Sequence, residues 1–139
     1  IGKALQFHAL GGIDIYKSLL VVAQDLPRVD MIKVHDLAEK LGRGSTDDTW
    51  PLIEEIVGGW CDHIARAEAR GQPPADILPG DGAVFSQWKA ELPFGHFLDA
   101  GERIRQLFAA VQNFNLDRRQ AIISAFMLLQ NPDYQALAV

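Results

Sequence analysis

The sequence predicts an all-α protein, a compact bundle of five to six helices. Apolar residues recur at intervals of three and four along almost every segment, which is the period of an amphipathic helix. No segment shows the apolar–polar alternation of a half-buried strand. Dipeptides that contain glycine or proline, such as Gly11-Gly12 and Asn131-Pro132, divide the chain into segments of helical length.

Length and charge limit the possible functions. The 139 residues fit one domain with one hydrophobic core. The net charge of −5 argues against a domain built to grip nucleic acid, because phosphate binding needs clustered Lys and Arg. The only cysteine, Cys61, cannot form an internal disulfide, which favours a reducing compartment such as the cytoplasm. No apolar run approaches the length of a membrane span.

The first two predicted helices are separated by a proline-containing turn. The segment after Gly11-Gly12 carries two adjacent apolar stripes, which is typical of a mostly buried helix. Pro27 should end this helix, because the residue before a proline is pushed out of helical geometry. Asp30 should cap the second helix, and Gly42 should terminate it.

The longest predicted helix has Pro51 in its first turn. The pair Gly58-Gly59 interrupts its middle, where each glycine costs about 1 kcal/mol relative to alanine. We therefore expect either a helix packed closely against this pair or a kink. The apolar seam of this helix steps by three and four through Trp50, Ile53, Val57, Trp60, Ile64 and Ala67.

The last part of the chain should contain a long loop and three helices. Residues 71–82 hold three prolines and several glycines, which forbid regular structure. Helices are predicted over 83–92 and 96–114, and a final one over about 116–130. The triplet that begins at Asn115 supplies good helix-start residues, since Asn and Asp side chains accept hydrogen bonds from free backbone N–H groups.

One alternative function is a metal-binding helical enzyme built on Glu55, Asp62 and His63. Di-iron bundles use Glu-x-x-His pairs that point inward from facing helices. Here the three residues fall on the polar face of one helix, and no other helix supplies a matching pair. We therefore predict a solvated face, with no catalytic residue, no metal and no cofactor.

Two groups of side chains are candidate partner contacts, because aromatic residues and arginine are favoured at protein interfaces. The aromatic group clusters between two predicted helices, and the basic group is the only concentration of positive charge. Local core for the aromatic residues and solvated positions for the arginines are the alternatives. The candidates are Trp88, Phe94, Phe97, Arg103, Arg118 and Arg119.

Four short motifs are spread over nearly the whole chain. Because of these motifs, the sequence resembles the C-terminal part of the delta prime subunit of bacterial DNA polymerase III, particularly the alphaproteobacterial type. Arg118 departs from the pattern, since relatives often carry proline there. The motif residues are Gly11, Gly12 and Tyr16; Leu26, Pro27, Arg28 and Asp30; Gly42, Arg43 and Gly44; and Asn115, Leu116 and Asp117.

The resemblance implies a function in subunit assembly. Delta prime belongs to the clamp loader, which opens the sliding clamp and places it on primed DNA, and its C-terminal helical domain packs in a collar with the gamma/tau and delta subunits. Residues 1–139 would be this single collar domain, a fragment without the N-terminal AAA+ module, zinc region and arginine finger. It would have no enzymatic activity by itself and would meet DNA only indirectly, although its parent is a subunit of a DNA-directed DNA polymerase. A helical adapter unrelated to replication is the other alternative.

Overall fold

A computed structural model of the chain describes residues 12–44, 49–114, 116–131 and 133–134. Within these ranges the chain forms six helices and no strand, which confirms the all-α prediction. Residues 1–11 and 135–139 lie outside the described residues, as do 45–48, 115 and 132. The helices are α1 (Gly12–Ala23), α2 (Met31–Gly44), α3 (Trp50–Arg70), α4 (Gly82–Glu91), α5 (His96–Phe114) and α6 (Arg118–Gln130).

None of these six helices is both long enough and apolar enough to cross a membrane. The apolar face of each helix is instead turned toward one shared hydrophobic core. The most extensive helix pairs are α3 with α5, α2 with α6, and α5 with α6. The bundle is therefore organised around two long helices, with α2 and α6 packed together beside them.

The boundaries of α1 and α2 differ from the sequence prediction. Helix α1 ends at Ala23, before Pro27, because residues 24–27 already form turns. Asp30 caps α2 as predicted, since its Oδ1 accepts a hydrogen bond from the backbone N–H of Ile32 at 2.9 Å. The prediction that Gly42 terminates α2 is wrong, because the helix continues to Gly44.

Gly42 has a packing role inside α2. A Cβ at this position would lie 2.3 Å from Cγ of Arg119 and 2.9 Å from its backbone N, so only glycine fits without movement. The backbones of α2 and α6 therefore approach each other directly at the first turn of α6. That turn begins at Asp117, whose side chain accepts a hydrogen bond from the Arg119 N–H at 2.9 Å and caps the helix as predicted.

Helices α3 and α5 form the central pair and run antiparallel. The whole predicted seam of α3 is buried. Near one end of the pair, Trp50 stacks on Phe108 with ring centroids 4.9 Å apart. Toward the other end, a Cβ on Gly101 would meet Cβ of Cys61 at 2.8 Å, so the absence of a side chain lets α5 lie close against α3. Close packing of this kind lets large apolar side chains interdigitate without voids.

The pair Gly58-Gly59 does not interrupt α3 and does not make its closest contact with another helix. Helix α3 is continuous from Trp50 to Arg70. A Cβ on Gly58 would come no nearer than 3.9 Å to Nε of Arg105, and one on Gly59 would meet nothing within 4 Å. The glycine that allows close approach is Gly101, on the facing helix. The close helix contact expected at Gly58-Gly59 is therefore made through a glycine of the facing helix instead.

These contacts predict opposite effects for two glycine-to-alanine substitutions. Gly42→Ala should lower the free energy of unfolding by about 1–3 kcal/mol, because the added methyl group overpacks against the α6 backbone. Gly59→Ala should raise it by up to about 1 kcal/mol, because the methyl group meets open space and alanine favours the helix. Urea unfolding followed by circular dichroism measures both. Equal effects of the two substitutions would contradict the described packing.

Candidate partner-contact site

The structure divides the three aromatic candidates. Trp88 and Phe97 are 0% and 1% exposed, and their rings stack at 6.1 Å with an angle of 21° between planes. Trp88 also contacts Trp60 edge-on at 5.7 Å. The prediction of Trp88 and Phe97 as partner contacts is therefore wrong for this conformation, since both belong to the core that joins α4 to α3 and α5. Phe94 is 80% exposed and stays a candidate.

Exposed apolar side chains lie at both ends of α5. Phe94 precedes the helix, Leu98 lies in its first turn, and Phe114 is its last residue; Leu98 and Phe114 are 63% and 65% exposed. At about 100° and 1.5 Å per residue, Leu98 and Phe114 lie roughly 160° apart around the axis and about 24 Å apart along it. They therefore project from nearly opposite sides of α5, one at each end of the helix. One helix thus presents two separate apolar surfaces.

The three candidate arginines have different environments. Arg103 is exposed on α5, and no carboxylate forms an ion pair with it in the ranges that the structure describes. The guanidinium of Arg118 lies 5.5 Å from the centre of the Trp50 ring, a cation–π distance. Arg119 pairs with Glu39 at 3.2 Å and with Asp117 at 3.3 Å. Arg118 and Arg119 thus have internal partners, and of the three candidates Arg103 is the most available to another protein.

The structure does not assemble the alternative metal site. Glu55 is exposed. Asp62 pairs instead with Arg105 at 2.5 Å, on the side of α3 that faces α5. Nε2 of His63 lies 2.6 Å from the carbonyl oxygen of Ala75, so it donates a hydrogen bond to the loop after α3. In the part of the chain that the structure describes, no three His, Cys, Asp or Glu residues come close enough to hold a metal ion.

Cys61 is a core residue in the middle of α3. It is 1% exposed, and burial raises the pKa of its thiol to about 12. The neighbouring Asp62 carboxylate raises that pKa further, while Arg105 opposes the shift. A nucleophilic cysteine needs the opposite conditions, namely access to solvent and a lowered thiol pKa. The thiol therefore packs and does not react.

Sequence analysis missed a buried polar contact that fastens the long loop to α1. The Asp81 carboxylate accepts a hydrogen bond from the Tyr16 hydroxyl and others from the backbone N–H groups of Ile77 at 2.8 Å and Leu78 at 2.9 Å. Asp81 is only 3% exposed. Burial, and then the hydrogen bond to Asp81, raise the pKa of Tyr16 above its ordinary value. The one available signal was an Asp directly before a helix-starting glycine in a loop rich in proline and glycine.

Comparisons of the chain with protein-family models, with curated proteins and with solved structures gave no match. Functional assignment therefore depends on the side chains described above and on the four sequence motifs.

The loop anchor predicts that Tyr16→Phe destabilises the protein by about 1–3 kcal/mol, because the buried Asp81 carboxylate loses its hydroxyl donor. Tyr134→Phe is the matched control, since no hydrogen bond of its hydroxyl is found among the described residues, and it should change stability by less than about 0.5 kcal/mol. Urea unfolding at pH 7 compares the two. A Tyr16→Phe variant as stable as the control would contradict the anchor.

The cap of α6 predicts a pH-dependent effect. The hydrogen bond from the Arg119 side chain, with further help from its backbone N–H, holds the pKa of Asp117 below its ordinary 3.8. A lowered folded-state pKa contributes stability above the unfolded pKa, and this contribution is lost as the pH falls through the folded value. Asp117→Asn keeps a capping oxygen but not the charge, so it should cost about 0.3–1 kcal/mol at pH 7.

Thermal unfolding of the wild type and Asp117→Asn over a pH series measures this contribution. The difference in stability should shrink below pH 3.8 and vanish below the lowered pKa. A difference that stays constant from pH 7 to acid pH would show that the charge of Asp117 is not what stabilises the helix start.

Proposed function

We propose that this chain is the subunit-assembly domain of a clamp-loader delta prime subunit, which supports the loading of sliding clamps during DNA replication in the cytoplasm. It would hold its own AAA+ module in a fixed position by packing in a collar with the gamma/tau and delta subunits. This domain performs no chemistry itself and meets DNA only through the whole complex.

The convergence of the sequence motifs supports the family assignment. Gly42, in the glycine-arginine-glycine motif on α2, packs against Arg119, which follows the motif before α6 by two residues. The leucine-proline-arginine motif leads to Val29, whose backbone N–H donates a hydrogen bond to Oε1 of Gln130 at 2.8 Å, at the other end of α6. Three of the motifs therefore lie at or next to contacts that hold α2 and the turn before it against α6. A shared packing scheme is what a family resemblance in structural residues implies.

The pair of apolar surfaces at the ends of α5 is the observation that carries the assembly function. A subunit inside a collar needs two separate contact surfaces, because it has a neighbour on each side. Leu98 and Phe114 lie on opposite flanks of one helix and are both more than half exposed. Burying one such side chain contributes about 1.5–3 kcal/mol. Arg103, on the Phe114 flank, would supply a charged group at the rim of that contact.

Binding assays with the gamma/tau and delta subunits test the assembly function. The double variant Phe94→Asp/Leu98→Asp and the single variant Phe114→Asp should each weaken binding at least about tenfold, since each places a charge in an apolar contact. Each variant should affect one neighbour more than the other, because the surfaces lie at opposite ends of α5. Co-purification followed by titration calorimetry measures this.

The matched control is Ile32→Asp. Ile32 is an apolar residue on α2 whose side chain is 74% exposed, similar to the side chains at the ends of α5. It should leave both affinities within about twofold of the wild type, as for a surface substitution outside an interface. Failure of the wild-type chain to bind either subunit would contradict the clamp-loader assignment and favour a helical adapter with a different partner.

A further inference from the structure

The flank of α3 that faces away from α5 carries a row of residues that take no part in the α3–α5 contact or in the proposed assembly surfaces. Gly59, His63, Arg66 and Arg70 follow one another at spacings of three and four, so they lie on one face of the helix. Cys61, which meets Gly101 of α5, lies on the opposite flank of α3. The row is therefore a separate surface of the bundle.

Next to this row the chain forms an open groove of about 200 Å³, between the last turns of α3 and the loop over residues 72–75. His63 fixes the wall of the groove, because its Nε2 donates to the Ala75 carbonyl at 2.6 Å and its ring contacts Phe85 edge-on at 5.5 Å. Pro73 and Pro74 form the opposite wall and have no backbone N–H to donate. The shape of the groove is therefore set by a hydrogen bond, an aromatic contact and two rigid residues.

The groove is positively charged in a chain whose net charge is −5. Its lining includes Arg66 and Arg70 and no Asp or Glu. Neither guanidinium forms an ion pair with a carboxylate of residues 12–44, 49–114, 116–131 or 133–134. Lys89 adds a third cation at the rim, where its Nζ donates to the Gln72 carbonyl at 3.0 Å. Three cations without a carboxylate partner favour an anionic ligand.

Gly59 lies one helical turn before His63 on the same face of α3, beyond the residues that line the groove. A glycine in a helix interior is unfavourable relative to alanine, and packing within the chain does not require one here, because a Cβ would meet nothing within 4 Å. The missing side chain leaves the helix backbone open to close approach from outside. This gives Gly59, which does not contribute to the α3–α5 contact, a role at the surface.

We propose that this groove binds an extended acidic segment of a protein partner. The distance from Gly59 to Arg70 along α3 is about 16 Å, which matches roughly five residues of extended chain. Two carboxylates two residues apart in such a segment lie about 6.6 Å from each other, close to the separation of about 5–6 Å between the Cβ atoms of Arg66 and Arg70. Guanidinium groups bind carboxylates with paired hydrogen bonds.

The charge balance favours an acidic peptide over nucleic acid. A nucleic-acid site typically neutralises about 6–10 phosphates, whereas this groove offers three cations on a chain of net charge −5. A short acidic segment brings only the charges that the groove can pair. This proposal goes beyond subunit assembly through α5, and its test requires no clamp-loader subunit, so either proposal can fail while the other stands.

Titration of the ¹⁵N-labelled chain with the blocked peptide Ala-Glu-Ala-Glu-Ala, followed by amide and arginine Nε chemical shifts, tests the proposal. The shifts should change at Gly59, His63, Arg66 and Arg70 and saturate at millimolar peptide. The peptide Ala-Gln-Ala-Gln-Ala should bind at least about tenfold more weakly, because it lacks the charges that guanidinium groups pair with. Raising the NaCl concentration from 50 to 500 mM should weaken binding, since the groove is exposed to solvent.

Three variants test the groove itself. Arg66→Gln/Arg70→Gln should reduce affinity for the acidic peptide at least about tenfold, by removing both paired charges. Gly59→Leu should reduce it as well, by placing a side chain in the path of the bound segment along α3, while its amide spectrum stays that of a folded chain because the new side chain meets open space. The control Arg28→Gln/Lys40→Gln removes two exposed cations elsewhere and should leave affinity within about twofold.

Several results would overturn the proposal. Equal binding of the acidic and neutral peptides, or no shift change at millimolar peptide, would exclude an acidic segment as the ligand. Loss of affinity in the control equal to that in Arg66→Gln/Arg70→Gln would show that only net charge matters. Binding of a single-stranded oligothymidylate at the same residues, with no binding of the acidic peptide, would assign the groove to nucleic acid.

Discussion

The close antiparallel contact between α3 and α5 is the constraint on which the rest of the bundle depends. Gly101 removes the side chain that would hold the two helices apart at Cys61, and Trp50 stacks on Phe108 near the other end. The smaller elements attach to this pair through aromatic rings. Tyr16 of α1 contacts Trp60 edge-on at 5.6 Å, and α4 joins through the stack of Trp88 on Phe97. A side chain larger than glycine at residue 101 would displace all of these contacts together.

Helical periodicity predicted the main features of the fold because it reflects burial directly. Every residue of the α3 seam is in the core, and the sequence boundaries of α5 agree with the structure. Periodicity could not show which glycines lie at helix crossings. Gly42 looks like a helix terminator in the sequence, yet it lies inside α2 and packs against Arg119, 77 residues later in the chain. That function exists only once α2 and α6 are packed together.

The candidate site shows the same limit. An aromatic cluster between two helices predicts either core or interface, and the structure assigns Trp88 and Phe97 to the core but leaves Phe94 outside. No local pattern distinguishes these three residues, because the direction of each ring is set by the turn between α4 and α5. Asp81 was missed for a related reason: its partner Tyr16 lies on α1, and a lone Asp in a polar loop gives no sign of burial.

All three tryptophans of the chain lie inside one core, each no more than 1% exposed. Trp50 lies at one end of the α3–α5 contact, Trp60 near its middle, and Trp88 on the helix that docks against it. Indole emission shifts to longer wavelength when water reaches the ring. The intrinsic fluorescence of the unlabelled protein therefore reports on this helix pair. A binding partner that separates the two helices would shift the emission, whereas one that only covers their outer surface would not.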